Sequence, residues 1–203
     1  MIRILGKIPN KVTLACSGGI DSMAVLDFLR NGRKKVTVAH FNHRTEHGWE
    51  AYEFVKNYCK ENDIPFIGGD LEGDKPKDKS WEEWWRDKRY DFLNSLPGPI
   101  ITAHHLNDVG EWWIFTFLNG NPRLTPYKNG KIIRPFLLTL RHDMMRWCRI
   151  NDVPYVDDPQ NLNFKYARCR IRHEIIPSAL EINPGFLTVV GKKIKEEFKK
   201  NHG

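Results

Sequence analysis

A loop near the start of the chain carries residues suited to holding a phosphate. It lies in the stretch VTLACSGGIDSMAVLDFL (Val12–Leu29), where a short apolar run passes directly into an amphipathic pattern. Glycines let the backbone approach an anion closely, and successive N–H groups at a helix start attract phosphate. This glycine loop consists of Ser17, Gly18, Gly19, Ile20, Asp21 and Ser22. We predict that these residues bind a nucleotide.

The carboxylate of Asp21 stands where such a loop favours an anion. The conflict disappears if a divalent cation lies between Asp21 and the phosphates, because Mg²⁺ prefers carboxylate and phosphate oxygens. Asp21 is therefore predicted to be a metal ligand and a catalytic residue. The alternative is a tight strand-to-helix turn capped by serine and aspartate. No lysine follows the glycines, so the loop is not GxxxxGK[ST], and its spacing is not GxGxxG.

A pair of acids marks a second candidate site in the segment ITAHHLNDVGEWW. Asp108 and Glu111 are three residues apart at a helix start, so both project to the same side. An acidic pocket there would suit a cationic amine. Ordinary helix-start acids are the alternative. A metal site that includes His104 and His105 is disfavoured, because adjacent histidines point apart on most backbones.

One predicted helix carries Glu82, Arg86 and Arg89 along a single stripe, at i, i+4 and i+7. Arg86 and Arg89 can therefore present two cations to a phosphate or a carboxylate. The alternative is a surface charge stripe. Three tryptophans of the same helix are predicted to be core residues, namely Trp81, Trp84 and Trp85.

A second basic cluster lies in the segment YARCRIRH. Arg168 and Arg172 are one helical turn apart, with Lys165 near the same face and Arg170 off it. This cluster is predicted to contact phosphate, either of a nucleotide or of a nucleic acid. A solvated basic face is the alternative interpretation.

The elements that must position these groups alternate between strand and helix. The predicted strands are Val12–Cys16, Val36–His40, Pro65–Gly68 and Pro99–Ala103. The predicted helices are Ser22–Arg30, Glu50–Glu61, Trp81–Leu96 and Asp108–Leu118, the last apolar nearly all round and therefore expected to be buried. The alternation predicts an α/β fold, a Rossmann-like parallel sheet covered on both faces. Such sheets bind ligands at their carboxyl edge.

The rest of the chain predicts a small C-terminal helical extension. Asn119–Lys131 and Leu71–Lys79 are predicted loops, and Arg141–Ile150, Tyr166–Ile176 and Phe186–Lys200 are predicted helices. Pro177 is expected to stop the middle helix of these three. The polar segment 157–163 joins it to the helix before.

Composition narrows the class of protein. The chain has 203 residues, a net charge of +7 and 40% hydrophobic residues, which predicts a folded basic protein with a polyanionic partner. Its four cysteines form no CxxC pair, so neither a zinc ribbon nor a redox motif is predicted. No signal peptide is predicted, and the longest apolar run, Trp112–Leu118, is too short to span a bilayer. A cytoplasmic protein without a membrane partner is predicted.

The glycine loop, following its strand, resembles the PP-loop of the ATP pyrophosphatases. The resemblance implies an adenine nucleotide alpha hydrolase-like fold, with ATP and Mg²⁺ bound. It also implies transfer of an adenylyl group with release of pyrophosphate.

Longer segments resemble one branch of these enzymes, the tRNA(Ile)-lysidine synthases. The segments are His40–Arg44, Glu82–Leu93, Ile101–Trp113, Ile133–Cys148 and Val153–Pro177. Four residues depart from that family's pattern, where Asn107 replaces an Asp, Trp112 a Thr, Gln160 a Ser and Cys169 an Asn. The resemblance spans residues 11–177 and is restricted to the family's catalytic domain.

The resemblance implies a specific reaction. The enzyme would adenylate C2 of the wobble cytidine in a CAU anticodon loop of tRNA(Ile), and free L-lysine would then replace AMP to give lysidine. Asp108 and Glu111 would contact the lysine, and Arg86 would be catalytic. Residues 1–135 would form the ATP-binding domain, 136–177 a helical part with the YxRxxIRH signature, and 178–203 a basic tail. The family's usual C-terminal tRNA-binding domains are not expected here.

Two alternatives to this reaction stay open at the level of sequence. One is another PP-loop enzyme that adenylates a different tRNA base or a small acid. The other is a tRNA-binding or nucleotide-binding module without catalysis. A homo-oligomer is compatible with each of these functions.

Overall fold

A mostly parallel sheet forms the centre of the molecule. The computed structural model describes residues 1–157 and 164–202, and within them the sheet has six strands in the order β3-β2-β1-β4-β6-β5. The strands are β1 (Lys11–Ala15), β2 (Lys35–Asn42), β3 (Phe66–Asp70), β4 (Ile100–Thr102), β5 (Lys128–Asn129) and β6 (Ile132–Ile133). Only the pairing of β5 with β6 is antiparallel among them. The predicted Rossmann-like α/β fold is confirmed.

The helices follow the predicted alternation, with polar caps at several starts. They are α1 (Ile20–Asn31), α2 (Glu46–Glu61), α3 (Trp81–Ser95), α4 (Leu106–Leu118), α5 (Arg141–Ile150), α6 (Ala167–Arg170), a π-helical segment (Ile171–Ile175), α7 (Ile176–Ile182) and α8 (Phe186–His202). Ser80 and Glu83 form a capping box at α3, which satisfies N–H groups that have no partner inside the helix. Within the described residues no helix is both long and apolar enough to cross a bilayer.

The largest core cluster fixes β1 and α1 relative to each other. Leu14 of β1 and Met23 and Leu26 of α1 have no exposed surface, and Phe136 and Met144 from the second half of the chain pack into the same cluster. Burying one such side chain stabilises the fold by about 1.5–3 kcal/mol. The glycine loop between β1 and α1 is therefore anchored at both ends.

The strand order creates a crevice beside β1. From β1 the chain adds β2 and then β3 on one side, and it returns to add β4 on the other side. The loops after β1 and β4 therefore diverge at the carboxyl edge, where open α/β sheets bind ligands. The glycine loop follows β1, and the histidine pair with Asp108 follows β4.

Two sequence predictions about loops and burial are wrong. The predicted loop 119–131 contains β5 and precedes β6, strands of two residues each that are too short to leave an alternating pattern. The predicted burial of Asp108–Leu118 fails at its end, where Phe117 and Leu118 are more than 60% exposed. The buried side of α4 faces α8 through Val109 and Gly110, and the apolar residues beyond it extend into solvent.

The tryptophans of α3 divide between core and surface. Trp84 is buried as predicted, whereas Trp81 at the first position of the helix is 53% exposed. Helical spacing places Trp81 on the same side as Trp84, but the burial of a residue at a helix start depends on the elements packed against it. The prediction that Trp81 belongs to the core is therefore wrong.

Pro177 does not stop its helix, contrary to the prediction. The backbone widens into the π-helical segment and continues as α7, with Pro177 in the first turn of α7. Proline is tolerated there because the first turn of a helix needs no N–H from it. Of the joining segment 157–163, residues 158–163, including Gln160, lie outside the described residues. The domain boundaries at 135 and 177 stay a prediction.

Candidate active site

A cavity of about 510 Å³ opens at the carboxyl edge of the sheet. Its walls come from the glycine loop, the ends of β2 and β4, helix α3, the start of α4, and α6 with the π-helical segment. The predicted site residues that line it are Ser17, Gly19, Ile20, Asp21, Ser22, Asp108, Arg168 and Arg172. Three motifs that are far apart in the sequence therefore share one cavity.

The glycine loop is held in shape by its own hydrogen bonds. Ser22 Oγ accepts a hydrogen bond from the Ser17 N–H at 3.2 Å and donates one to the Gly19 carbonyl at 2.9 Å. Gly18 has a φ of +86°, which residues with a side chain rarely adopt. Its carbonyl accepts a hydrogen bond from the Val156 N–H at 3.0 Å. Helix α1 begins at Ile20 within this loop, so the positive end of the helix favours an anion there.

Asp21 has one carboxylate oxygen engaged and one without a partner. Its Oδ2 lies 3.5 Å from His105 Nε2 and 4.0 Å from Arg141 Nε. Its Oδ1 is buried and has no hydrogen-bond partner among the described residues. Such an oxygen is costly to bury, and a divalent cation would satisfy it.

The described part of the chain contains no group of three or more His, Cys, Asp or Glu side chains able to hold a metal on their own. The unpartnered Oδ1 of Asp21 fits a Mg²⁺ ion that would be held by this carboxylate together with phosphate oxygens of a nucleotide. Mg²⁺ is commonly bound in this way, through one or two carboxylates and the phosphates of a substrate.

His105 links Asp21 to Asp108. Its Nδ1 accepts a hydrogen bond from the Asp108 N–H at 3.3 Å, and its own backbone N–H donates to Asp108 Oδ2 at 2.9 Å. Burial opposes protonation of the His105 ring, but the carboxylates of Asp108 and Asp21 outweigh it and raise the pKa of His105. The ring therefore favours a proton on Nε2, which faces Asp21.

Asp108 is ionised although it is largely buried. Burial opposes the charged form, but His105 and Arg168 together with the hydrogen bond from the His105 N–H lower the pKa of Asp108 to about 2. Arg172 Nη2 lies 3.9 Å from Asp108 Oδ1. The cavity wall therefore carries a fixed negative charge between cationic groups.

Glu111 lies behind the cavity wall and is 1% exposed. Arg172 donates from Nε to Oε1 at 2.7 Å and from Nη2 to Oε2 at 3.0 Å, and Arg168 donates from Nη2 to Oε2 at 3.4 Å. A bidentate pair of this kind fixes the guanidinium plane. Glu111 therefore fixes the positions of the two arginines, which line the cavity. The predicted contact between Glu111 and lysine stays a prediction.

Three histidines near the cavity are neutral at neutral pH. Burial lowers the pKa of His104 to about 3, and the pKa of both His40 and His43 to about 4. His104 Nδ1 shares a hydrogen bond of 2.7 Å with Thr102 Oγ1. These rings act as neutral polar groups in the cavity wall.

Three predicted basic residues lie on the surface instead of the cavity wall. Arg86 is exposed, and its guanidinium carbon lies 5.4 Å from the centre of the Trp112 ring. Arg170 pairs with Glu174 at 3.1 Å, and Lys165 is exposed. Arg89, one turn after Arg86, lines the cavity.

Sequence reasoning misses Arg141, which lines the cavity beside Asp21. Its backbone N–H donates to Asn107 Oδ1 at 3.0 Å, so the residue that departs from the family pattern at 107 holds the start of α5. No spacing signal could have found Arg141, because it begins a helix in the other half of the chain.

The chain matches the sequence pattern of the PP-loop domain family over residues 4–179. It is 38% identical over 191 residues to a tRNA(Ile)-lysidine synthase of Thermotoga maritima, covering 85% of this chain and 46% of that protein. Proteins of the same name from Thermosipho africanus and Enterococcus faecalis are 33% and 26% identical over 87% and 92% of this chain. The chain spans about half the length of these curated relatives.

Solved structures share the fold. The U34-tRNA thiolase NcsA from Methanococcus maripaludis with its [4Fe-4S] cluster superposes with a TM-score of 0.74, at 14% identity, covering 95% of this chain and 74% of that one. An NH3-dependent NAD synthetase from Campylobacter jejuni gives a TM-score of 0.50 at 12% identity, covering 96% and 89%. At these identities the likeness concerns the fold alone.

Proposed function

The chain belongs to the PP-loop domain family, and we propose that it is an ATP-dependent tRNA-modifying enzyme that makes lysidine. In the proposed reaction the C2 oxygen of the wobble cytidine attacks the α-phosphate of ATP, and pyrophosphate leaves. The ε-amino nitrogen of free L-lysine then attacks C2, the C2–O bond breaks, and AMP leaves with that oxygen. The amine loses protons in the process.

The glycine loop would hold the phosphates that leave. The N–H groups at the start of α1 and the Ser17 hydroxyl would donate to the phosphates as negative charge develops on pyrophosphate, while Ser22 shapes the loop by donating to the Gly19 carbonyl. A Mg²⁺ ion on Asp21 would offset phosphate charge when bound. His105 keeps the Asp21 carboxylate oriented through Oδ2 and leaves Oδ1 for the cation.

Asp108 would receive the lysine amine. With its pKa at about 2, Asp108 is negative at every physiological pH, so it attracts an ammonium group. An amine must lose a proton to become a nucleophile, and Asp108 is too weak a base to remove it at equilibrium. Its role would be to orient the amine, while proton loss would be coupled to attack at C2.

Arg168 and Arg172 would face the anionic groups of RNA and nucleotide. Both line the cavity, and their charge there is partly balanced by Glu111. Guanidinium groups held in a fixed plane suit phosphate, which accepts two parallel hydrogen bonds. We propose that Lys165 and Arg170, on the exposed side of the same segment, contact the RNA backbone.

One observation carries the proposal: the glycine loop and Asp108 face the same cavity, with His105 between Asp21 and Asp108. A nucleotide phosphate and an amine can then approach one acceptor from two sides.

The test measures pyrophosphate release by the purified chain with ATP and Mg²⁺. We expect release only when a tRNA with a CAU anticodon is added, and not with a tRNA in which the wobble cytidine is replaced by uridine. Release that is unchanged without RNA would assign the chain to PP-loop enzymes that adenylate a small molecule. RNA binding without any release would indicate a binding module.

A further inference from the structure

A row of aromatic side chains leads from the surface into the cavity. Ring centres of Trp81 and Trp85 are 5.7 Å apart, those of Trp85 and His43 are 5.7 Å apart, and those of His43 and Phe41 are 5.1 Å apart. Trp81 is 53% exposed, whereas Trp85, His43 and Phe41 line the cavity. We propose that this aromatic row is a stacking path for the unpaired nucleotides that flank the modified base.

Two polar atoms of the aromatic row favour a ligand with hydrogen-bonding edges. Trp85 Nε1 and His43 Nδ1 are buried, and neither has a hydrogen-bond partner within the described residues. An indole N–H and a neutral imidazole nitrogen in such positions cost free energy unless something bonds to them. Nucleobases supply donors and acceptors around a flat ring, so they can stack and pair at the same place.

The charges around Trp81 also suit a nucleotide. Lys75 Nζ lies 5.7 Å from the centre of the Trp81 ring, where it can reach the phosphate of a stacked base. Two of the neighbouring acids are occupied, because Glu83 closes the capping box with Ser80 and Asp87 pairs with Lys79. Arg89 lines the cavity further along the same helix.

The occupant that fits best is single-stranded RNA. Stacking on exposed tryptophan is the common mode by which proteins hold unpaired bases. A purely apolar partner would bury Lys75 and leave the polar atoms of Trp85 and His43 unsatisfied. The identity of that RNA as an anticodon loop rests on the proposed function, but the stacking surface itself does not.

The test uses a labelled, short single-stranded RNA with the sequence of a CAU anticodon loop, and fluorescence anisotropy of the full chain. Trp81→Ala is expected to weaken binding about tenfold, since one base–aromatic stack contributes that much or more. Trp81→Phe keeps an aromatic face and is expected to lose less. Phe117→Ala, which removes another exposed aromatic side chain, is the matched control and is expected to bind like the unaltered protein.

The outcomes separate this inference from the proposed function. Equal binding by Trp81→Ala and the unaltered protein would overturn the stacking path even if lysidine is made. Trp81-dependent binding without lysidine formation would support the path and overturn the function. Absence of binding of this RNA by the unaltered protein would overturn the stacking path, whether or not lysidine is made on tRNA.

Discussion

Arg172 Nε donates a hydrogen bond to Glu111 Oε1 at 2.7 Å, and this contact joins the π-helical segment to α4. Arg172 and Asp108 both line the cavity, whereas Glu111 is buried behind it. The pair therefore couples the position of the Arg172 guanidinium in the cavity wall to the helix that carries Asp108. This ion pair, together with those of Arg168 with Glu111 and of Arg172 with Asp108, fixes two segments that are distant in sequence.

Replacing Glu111 is expected to destabilise the fold strongly. Glu111→Ala leaves the buried side of Arg172 without its carboxylate, and breaking one partner of a buried pair costs about 3–5 kcal/mol. Urea unfolding measures the loss. Glu174→Ala is the matched control, because its exposed pair with Arg170 contributes less than about 0.5 kcal/mol. Equal losses in the two variants would contradict the anchoring role of Glu111.

Asp21→Asn is expected to abolish pyrophosphate release and the response of the protein to Mg²⁺. The amide keeps the shape of the side chain but removes the charge that a divalent cation needs. Affinity for tRNA should change little, because the variant leaves the basic residues in place. Asp27→Asn, on the same helix, retains an acceptor for the Trp147 indole and serves as the control. Full turnover by Asp21→Asn would remove Asp21 from the metal role.

The two loop glycines are expected to respond differently to alanine. At Gly18 the φ of +86° and the side chains of Val55 and Val156, 3.1 and 3.2 Å from an added Cβ, predict a loss of stability. At Gly19 the nearest atom would be Ser17 Oγ at 3.5 Å, so the fold should tolerate the change. A methyl group there would still obstruct phosphate. Gly18→Ala should lower the unfolding midpoint, and Gly19→Ala should raise the KM for ATP.

Acidification is expected to destabilise the protein already at pH values well above the pKa of its carboxylates. Unfolded histidines titrate near pH 6.5, whereas the pKa of His104 is lowered to about 3 and that of His40 to about 4 in the fold. Below pH 6.5 the unfolded chain binds protons that the folded chain does not, so the free energy of unfolding decreases as the pH is lowered. Urea unfolding from pH 6.5 to 4 measures the slope. His104→Gln should flatten it, and exposed His142→Gln should not.

The sequence predicts the sheet and the glycine loop because both rest on local patterns. The apolar runs of β1 and β2 and the helical spacing of α1 are visible within short windows. Strands of two residues, such as β5 and β6, are too short to leave such a pattern, and tertiary pairing decides them. The predictions for Trp81 and Pro177 fail for the same reason, because burial and helix continuation depend on neighbours elsewhere in the chain.

The site is predictable only in part for the same reason. The sequence correctly brings the glycine loop and Asp108 to one edge, because both follow parallel strands. It identifies Arg168 and Arg172 as basic, but their orientation toward Glu111 arises from packing of the π-helical segment against α4. Arg141 and the aromatic row could not be predicted, because the residues that surround them in the fold are far apart in the sequence.

The most direct test of the account is the mass of the tRNA after incubation with the chain, ATP, Mg²⁺ and L-lysine. A tRNA with a CAU anticodon should gain the mass of one lysine less one water, at the wobble cytidine, and Asp108→Asn should prevent the gain while RNA binding persists. A CAU tRNA of unchanged mass after full binding to the protein, with ATP present, would contradict the proposed function.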